Sequence, residues 1–103
     1  MNKLEKDGKV AVMISPGFGA GWSTWNTGIR DALLFDPEIA QAVLDGDKLK
    51  AGMIAARKFP DGHFGGARDL TVEWLDKGSV FEVEEYDGSE SLHIIGGRDY
   101  SVA

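Results

Sequence analysis

A nearly uninterrupted apolar run, KVAVMIS from Lys9 to Ser15, constrains the fold of this chain more than any other feature. The run is rich in β-branched residues, and turn-forming pairs bound it at Asp7-Gly8 and at Pro16-Gly17. Because it lacks the alternation of a half-exposed strand, it predicts a strand that is buried on both faces.

Three later segments alternate apolar and polar residues, which is the pattern of strands with one buried face. Their apolar positions are Leu70, Val72 and Trp74, then Phe81 and Val83, then Leu92 and Ile94. Turn signals separate the segments at Lys77-Gly78 and at Asp87-Gly88-Ser89. The segments therefore predict an antiparallel meander with one dry face and one wet face.

Between the first strand and the meander, the sequence predicts two helices. Asp36 is a candidate N-cap, Pro37 suits the first helical position, and Gly46 is placed to end the first helix. A second helix is predicted from Asp47 to Phe59. The inward-facing residues are expected to be Ile39, Ala42 and Val43 in the first helix, and Leu49, Met53, Ala56 and Phe59 in the second.

The expected architecture is an α+β fold, with a mainly antiparallel sheet of about four strands and two helices packed on one face. The first strand is expected to join this sheet. The chain has 103 residues, of which 43% are hydrophobic and 27% charged, and this suits a single domain over residues 1–103.

Charge and composition narrow the function classes. Lys and Arg number 11 against 17 Asp and Glu, and the formal charge of -6 disfavours duplex nucleic acid as a partner. The absence of cysteine excludes disulfides, thiolate catalysis and thiolate zinc sites. The charged N-terminal sequence predicts no signal peptide, and no apolar run in the sequence approaches the length of a membrane span. We expect a cytoplasmic protein with no membrane partner.

The segment SPGFGAGWSTWN, from Ser15 to Asn26, is the principal candidate for ligand binding. Its glycines are Gly17, Gly19 and Gly21, and its aromatic residues are Phe18, Trp22 and Trp25. Glycine backbone N–H groups can hold an anion while aromatic rings stack on a planar base. The alternative is that the rings cap the core and the glycines permit close turns. Neither a G-x-G-x-x-G motif nor a P-loop lysine is present.

Two Arg-Asp pairs follow glycines, in GGARD and GGRD, and supply candidate anion clamps at Arg68 and Arg98. Arg68 is the stronger candidate because it lies in the same irregular segment as His63, which can donate a hydrogen bond or transfer a proton. The alternative is that both arginines form exposed ion pairs at turns.

No catalytic or metal-binding constellation emerges from the remaining residues. The two histidines, His63 and His93, are 30 positions apart, and no G-x-S-x-G motif is present. An acidic cluster is predicted to be a solvated strand edge, with cation binding as the alternative; it comprises Glu82, Glu84, Glu85, Asp87 and Glu90. We expect no catalytic residue, no metal and no cofactor.

The segments KVAVMISPGFGAGWSTWN, GGARDLTVEW and EYDGSESLHI resemble a group of short bacteriophage proteins over nearly the whole chain, with SPGFGAGW as the most distinctive part. By analogy with small phage anti-defence proteins, the resemblance implies a sponge. A sponge is a homo-oligomer that sequesters a nucleotide immune signal in the host cytoplasm without cleaving it. The implied ligand is a cyclic ADP-ribose isomer or a cyclic dinucleotide.

Two other functions remain open on sequence grounds. One is an acidic protein-interaction module that inhibits a host protein through the edge around Glu82 and Glu84. The other is a small nucleotide hydrolase that uses His63 with nearby carboxylates.

Overall fold

The computed structural model describes residues 2–17, 21–94 and 101–103, which contain six β-strands and three α-helices. The strands are β1 (Glu5–Lys6), β2 (Lys9–Ile14), β3 (Thr71–Asp76), β4 (Val80–Tyr86), β5 (Ser89–Ile94) and β6 (Ser101–Val102). The helices are α1 (Arg30–Phe35), α2 (Pro37–Leu44) and α3 (Lys48–Lys58). Short 3-10 turns cover Ser23–Trp25, Thr27–Ile29 and Gly65–Asp69.

The strands form two antiparallel sheets of three strands each, in the orders β1-β2-β3 and β5-β4-β6. The α+β class with antiparallel pairing is therefore confirmed, as is the entry of the first strand into a sheet. The single meander is wrong, because β3 and β4 belong to different sheets, but its second hairpin, from β4 to β5, forms at the predicted turn. The Lys77-Gly78 turn does not close a hairpin; Lys77 N donates to Gly8 O, and Gly78 N donates to Ala103 O.

Strand β2 lies between two hydrophobic clusters, as a strand buried on both faces should. Ala11 and Met13 belong to one cluster, together with Trp22 and residues of α2 and α3. Val10 and Val12 belong to the other, together with Phe81 from β4. The alternation of side chains along a strand sends successive residues of β2 into opposite cores.

Helix α2 begins as its sequence predicts. The Asp36 carboxylate accepts hydrogen bonds from Glu38 N and Ile39 N, and Pro37 occupies the first turn. Helix α1 was not predicted from the sequence. It starts at Arg30 directly after a 3-10 turn, without a capping side chain, so it lacks the usual start signal. Its buried residues are Leu33, Leu34 and Phe35.

Helix α3 has nearly the predicted bounds, and the Asp47 side chain caps it by accepting from Lys50 N. Of the predicted inward-facing residues only Phe59 packs against the cluster around Trp22, and the prediction is wrong for the other three. Leu49 is 78% exposed and Met53 is 64% exposed, and Ala56 is exposed as well. The buried residues are Ala51, Ile54 and Ala55. A Cβ on Gly52 would lie 3.1 Å from the Ala67 Cβ, so the small-residue side of α3 makes the close approach to the Gly65–Asp69 turn.

An ion-pair cluster joins the start of α2 to the end of α3. Lys58 Nζ lies 2.9 Å from the Asp36 carboxylate and 3.0 Å from Glu38, which Arg57 also contacts at 3.0 Å. Hydrogen bonds from Lys58 and Arg57 lower the pKa of the Glu38 carboxyl. Bonds to Asp36 and Glu38 raise the pKa of Lys58.

The directions of these two pKa shifts predict that the effect of Glu38→Gln on stability depends on pH. Because the folded-state pKa of Glu38 is lowered, its contribution is present above the ordinary carboxyl pKa and is lost as the pH falls through the lowered value. The Lys58 contribution is instead lost at high pH, as the pH rises through its raised pKa. We expect Glu38→Gln to lower Tm by roughly 2–4 °C at neutral pH, and this effect should disappear at acid pH, below the lowered pKa of Glu38. Thermal melting followed by circular dichroism measures both.

Glu73→Gln is the matched control, since Glu73 is an exposed glutamate on β3. It should leave Tm unchanged at either pH. An equal effect of Glu38→Gln at both pH values would contradict the assignment of its effect to the ion-pair cluster.

None of the three helices in the described parts of the chain has the length and apolar character needed to cross a bilayer.

Candidate ligand-binding site

A buried carboxylate holds the segment that follows β2. Glu90 is only 2% exposed although it carries a charged group. One of its oxygens, Oε1, accepts from Ser15 N at 2.9 Å. The other, Oε2, accepts from Trp22 N at 2.8 Å, Thr24 N at 3.1 Å and Thr24 Oγ1 at 2.6 Å. Four donors thus converge on one side chain, and Glu90 N also donates to Ser15 O at 2.9 Å.

The prediction of a solvated edge is wrong for Glu90 but confirmed for Glu84, Glu85 and Asp87, which are exposed. Along β5, Glu90 lies on the same side of the strand as Leu92, which packs against the second cluster. The backbone N–H groups that donate to Glu90 lie on both sides of the glycine segment, at Ser15 before it and at Trp22 and Thr24 after it. They are thus bound to an anion that the chain itself supplies.

Trp22 is a core residue in this structure. It has no exposed surface, its Nε1 donates to Leu33 O at 2.9 Å, and its ring centroid lies 5.5 Å from that of Phe64. It therefore presents no free ring face on which a base could stack. For this ring, the structure has the arrangement that the core-capping alternative predicts.

Trp25 is placed differently, with 44% of its surface exposed. It lines a pocket of about 420 Å³ together with His63, which is also exposed. The pocket lies between two segments, residues 25–29 and residues 59–63. Trp25 and His63, both predicted from the sequence as ligand-binding residues, thus lie at the same pocket.

Asn26 fixes the two walls of this pocket relative to each other. Its Nδ2 donates to Trp22 O at 2.7 Å and to His63 O at 2.8 Å, and its Oδ1 accepts from His63 N at 2.7 Å. Asn26 is 8% exposed. A buried amide with its hydrogen bonds satisfied on both segments makes this a preformed site.

A second pocket of about 330 Å³ adjoins the first, since Thr27, Gly28 and Ile29 line both. It contains the partly buried Arg30, which has no ion pair with any residue in the described ranges. Arg30 was not predicted from the sequence as a site residue. The signal in the sequence was a third Arg-Asp pair, Arg30-Asp31, in addition to the pairs that begin at Arg68 and Arg98.

Arg68 lies away from Trp25, in a separate pocket formed with α3. Its side chain is 84% exposed and its Nε lies 3.8 Å from the Asp69 carboxylate. This is the exposed ion pair of the alternative interpretation. The structure therefore does not bring Arg68 together with Trp25 and His63.

The two described glycines of the segment are both sites of close approach. A Cβ on Gly17 would overlap the Asp69 carboxylate, and a Cβ on Gly21 would lie 2.6 Å from Trp25 Cδ1. Gly21 therefore allows the Trp25 ring to pack against the backbone. Three other predicted site residues lie outside the described residues, namely Phe18, Gly19 and Arg98.

One group of side chains superficially resembles a catalytic triad. His93 Nε2 lies 3.2 Å from Glu84 Oε2 and 3.4 Å from Ser91 Oγ. Both partners meet the same ring nitrogen, whereas activation of a serine requires the acid and the serine on opposite nitrogens. Within residues 2–17, 21–94 and 101–103, no group of three His, Cys, Asp or Glu side chains is arranged to hold a metal ion.

Comparison of the chain with models of protein families, with curated protein sequences and with solved structures finds no match.

Proposed function

We propose that this protein binds a small nucleotide in the pocket between Trp25 and His63 and sequesters it without cleavage. The observation that carries the proposal is the half-exposed Trp25 ring at a pocket whose walls Asn26 holds together. A nucleobase stacked on such a ring gains about 1–3 kcal/mol. The volume of about 420 Å³ lies within the range of small-molecule sites.

The surroundings of Trp25 suit the other parts of a nucleotide. Arg30 lies in the adjoining pocket and supplies the positive charge that a phosphate requires. His63 and Asp61 line the Trp25 pocket itself, where an imidazole can donate to a phosphate and a carboxylate can accept from a base or ribose hydroxyl. Of the described residues, Arg30 is the one cationic side chain that lines these two pockets, so anion binding by this acidic protein would depend on it.

The resemblance to short phage proteins gives this binding a biological role. We propose that the ligand is a nucleotide immune signal, either a cyclic ADP-ribose isomer or a cyclic dinucleotide, and that the protein acts in the host cytoplasm. Sequestration requires affinity and no catalytic group, so the role rests on the aromatic ring, the arginine and the preformed walls of the pocket.

Trp25→Leu should weaken ligand binding while the fold is retained. Thermal melting against a panel of cyclic ADP-ribose isomers and cyclic dinucleotides, followed by mass spectrometry of the recovered ligand, tests this. At a concentration 100 times its Kd, a bound ligand adds about 2.7 kcal/mol of stability, which raises Tm by roughly 10–20 °C. Loss of the stacked ring should weaken binding by about 10- to 100-fold.

Tyr86→Leu is the matched control, because Tyr86 is an exposed aromatic residue that lies outside the pocket. It should retain the full shift. Recovery of the ligand as fragments would replace sequestration by hydrolysis. No shift with any ligand in the panel would overturn the proposal and favour the acidic strands β4 and β5 as a docking surface for a basic host protein.

A further inference from the structure

We propose that α3 binds the β4–β5 hairpin of a second copy of this chain. The contact joins two different surfaces, the α3 groove and the acidic hairpin. The α3 groove is lined by Leu49, Gly52, Met53, Ala56, Phe64 and Ala67. The acidic hairpin consists of β4, β5 and the turn between them. This inference is independent of nucleotide binding.

The α3 groove is an apolar surface that the fold leaves uncovered. Leu49 and Met53, one turn apart on α3, are 78% and 64% exposed. They border a groove of about 440 Å³ that Gly52 and Ala67 also line. Because Gly52 has no side chain, Ala67 lies close to the helix backbone there. A helix on a protein surface normally directs such large apolar residues to the core, so their joint exposure marks an interaction site.

The charge of this surface is opposite to that of the whole chain. Helix α3 contains four basic residues and no acidic residue, in a protein with a formal charge of -6. Arg57 and Lys58 are paired with Glu38 and Asp36. Lys48 lines the groove and forms no ion pair with any described residue. Arg68 lines it as well; it is 84% exposed, and its ion pair with Asp69 is long, at 3.8 Å. The apolar groove thus has a positive rim.

The acidic hairpin has the complementary composition. Residues 80–94 contain neither lysine nor arginine, and of their five acidic residues only Glu90 is buried. Glu84, Glu85 and Asp87 are exposed around the turn. Among them is Tyr86, which is 74% exposed and is the most exposed aromatic ring of the described residues. An apolar ring surrounded by carboxylates matches an apolar groove bordered by basic side chains.

The same chain therefore carries both halves of one contact, and this identifies the partner as a second copy. The residues that line the α3 groove are distinct from those of the pocket at the hairpin, which Glu84, Glu85 and Tyr86 line. A contact between two different patches can close into a ring or a reciprocal dimer, or it can continue as an open chain of subunits. Tyr86 inserted between Leu49 and Met53 would be its central anchor.

The test is sedimentation equilibrium of wild type, Met53→Asp and Tyr86→Ser over about 1 µM to 1 mM. Both substituted positions are exposed, so the variants should melt like wild type at protein concentrations too low for association. Wild type is expected to self-associate, and each variant should associate about tenfold or more weakly. Leu44→Asp is the matched control for Met53→Asp, because Leu44 is an exposed apolar residue on α2; it should associate like wild type.

Mixing the two variants provides the decisive measurement. Met53→Asp retains an intact hairpin and Tyr86→Ser retains an intact groove, so an equimolar mixture should form 1:1 heterodimers. Self-association should also weaken at about 1 M NaCl, where the screening length falls to about 3 Å. A wild type that is monomeric throughout, a mixture that stays monomeric, or an association indifferent to salt would each overturn the proposal.

Discussion

Replacement of Trp22 by alanine is expected to lower the free energy of unfolding by about 3–5 kcal/mol, the usual loss for a large aromatic residue in a core. Trp22 has no exposed surface and lies in the cluster that also includes Met13, Leu33 and Ile39. The substitution removes the ring packed at 5.5 Å from Phe64 and the Nε1 hydrogen bond to Leu33 O. Urea denaturation at neutral pH measures the change.

Trp25→Ala is the matched control, since the two tryptophans are three positions apart and Trp25 is 44% exposed. It should lose less than half as much stability as Trp22→Ala. Trp22→Phe should fall between wild type and Trp22→Ala, because it keeps a ring and leaves Leu33 O without its donor. Equal losses at Trp22 and Trp25 would contradict the division between a core ring and a pocket ring.

Glu90→Ala is expected to destabilise the protein by about 2–6 kcal/mol, since the carboxylate has four donors, two of them buried, and each buried donor left without a partner costs about 1–3 kcal/mol. The donors concerned are Ser15 N, Trp22 N, Thr24 N and Thr24 Oγ1. They lie on both sides of the glycine segment, so the loss should also loosen the wall that carries Trp25. Chemical denaturation reports the stability, and a broader ligand-free tryptophan emission reports the loosening.

Glu90→Gln keeps the shape of the side chain but replaces one acceptor oxygen by an amide nitrogen that donates, so it tests the two contributions separately. Its amide oxygen can accept on the Trp22 and Thr24 side, but the amide nitrogen then faces Ser15 N, which also donates. We expect an intermediate loss. Glu73→Ala, an exposed glutamate on β3, should be nearly neutral. If Glu90→Ala were equally neutral, the carboxylate would not be what holds the segment.

The sequence predicts β2 and α2 correctly because their signals are local. An apolar run such as Val10 to Ile14 has no polar face to expose, and Asp36-Pro37 favours a helix start through backbone hydrogen bonds and a fixed φ. Neither signal depends on what the rest of the chain does.

The face of α3 is not determined locally. The helix has two apolar stripes at helical spacing, one with Leu49 and Met53 and the other with Ala51 and Ile54. Hydrophobicity alone favours the larger residues. The structure selects the smaller ones, because α3 approaches the Gly65–Asp69 turn closely at Gly52. Which stripe faces the core depends on tertiary packing, and the helical spacing of apolar residues in the sequence does not indicate it.

The candidate site was predicted in part. Trp25 and His63 share a pocket, and they were identified as an aromatic residue and a polar residue in irregular segments. Glu90 was missed although its parity with Leu92 indicated the buried side of β5. Its charge instead favoured the prediction of a solvated position, because a carboxylate is rarely buried unless several donors bind it. The convergence of those donors depends on a contact between residues 75 positions apart.

The position of β2 between two clusters has a consequence for how the molecule opens. Val10 and Val12 pack in one cluster while Ala11 and Met13 pack in the other, so neither sheet can separate from its core without exposing this strand. The two sheets therefore form one cooperative unit rather than two independent foldons. Amide protons of β2 should exchange with solvent only through global unfolding, and protection in both sheets should be lost together.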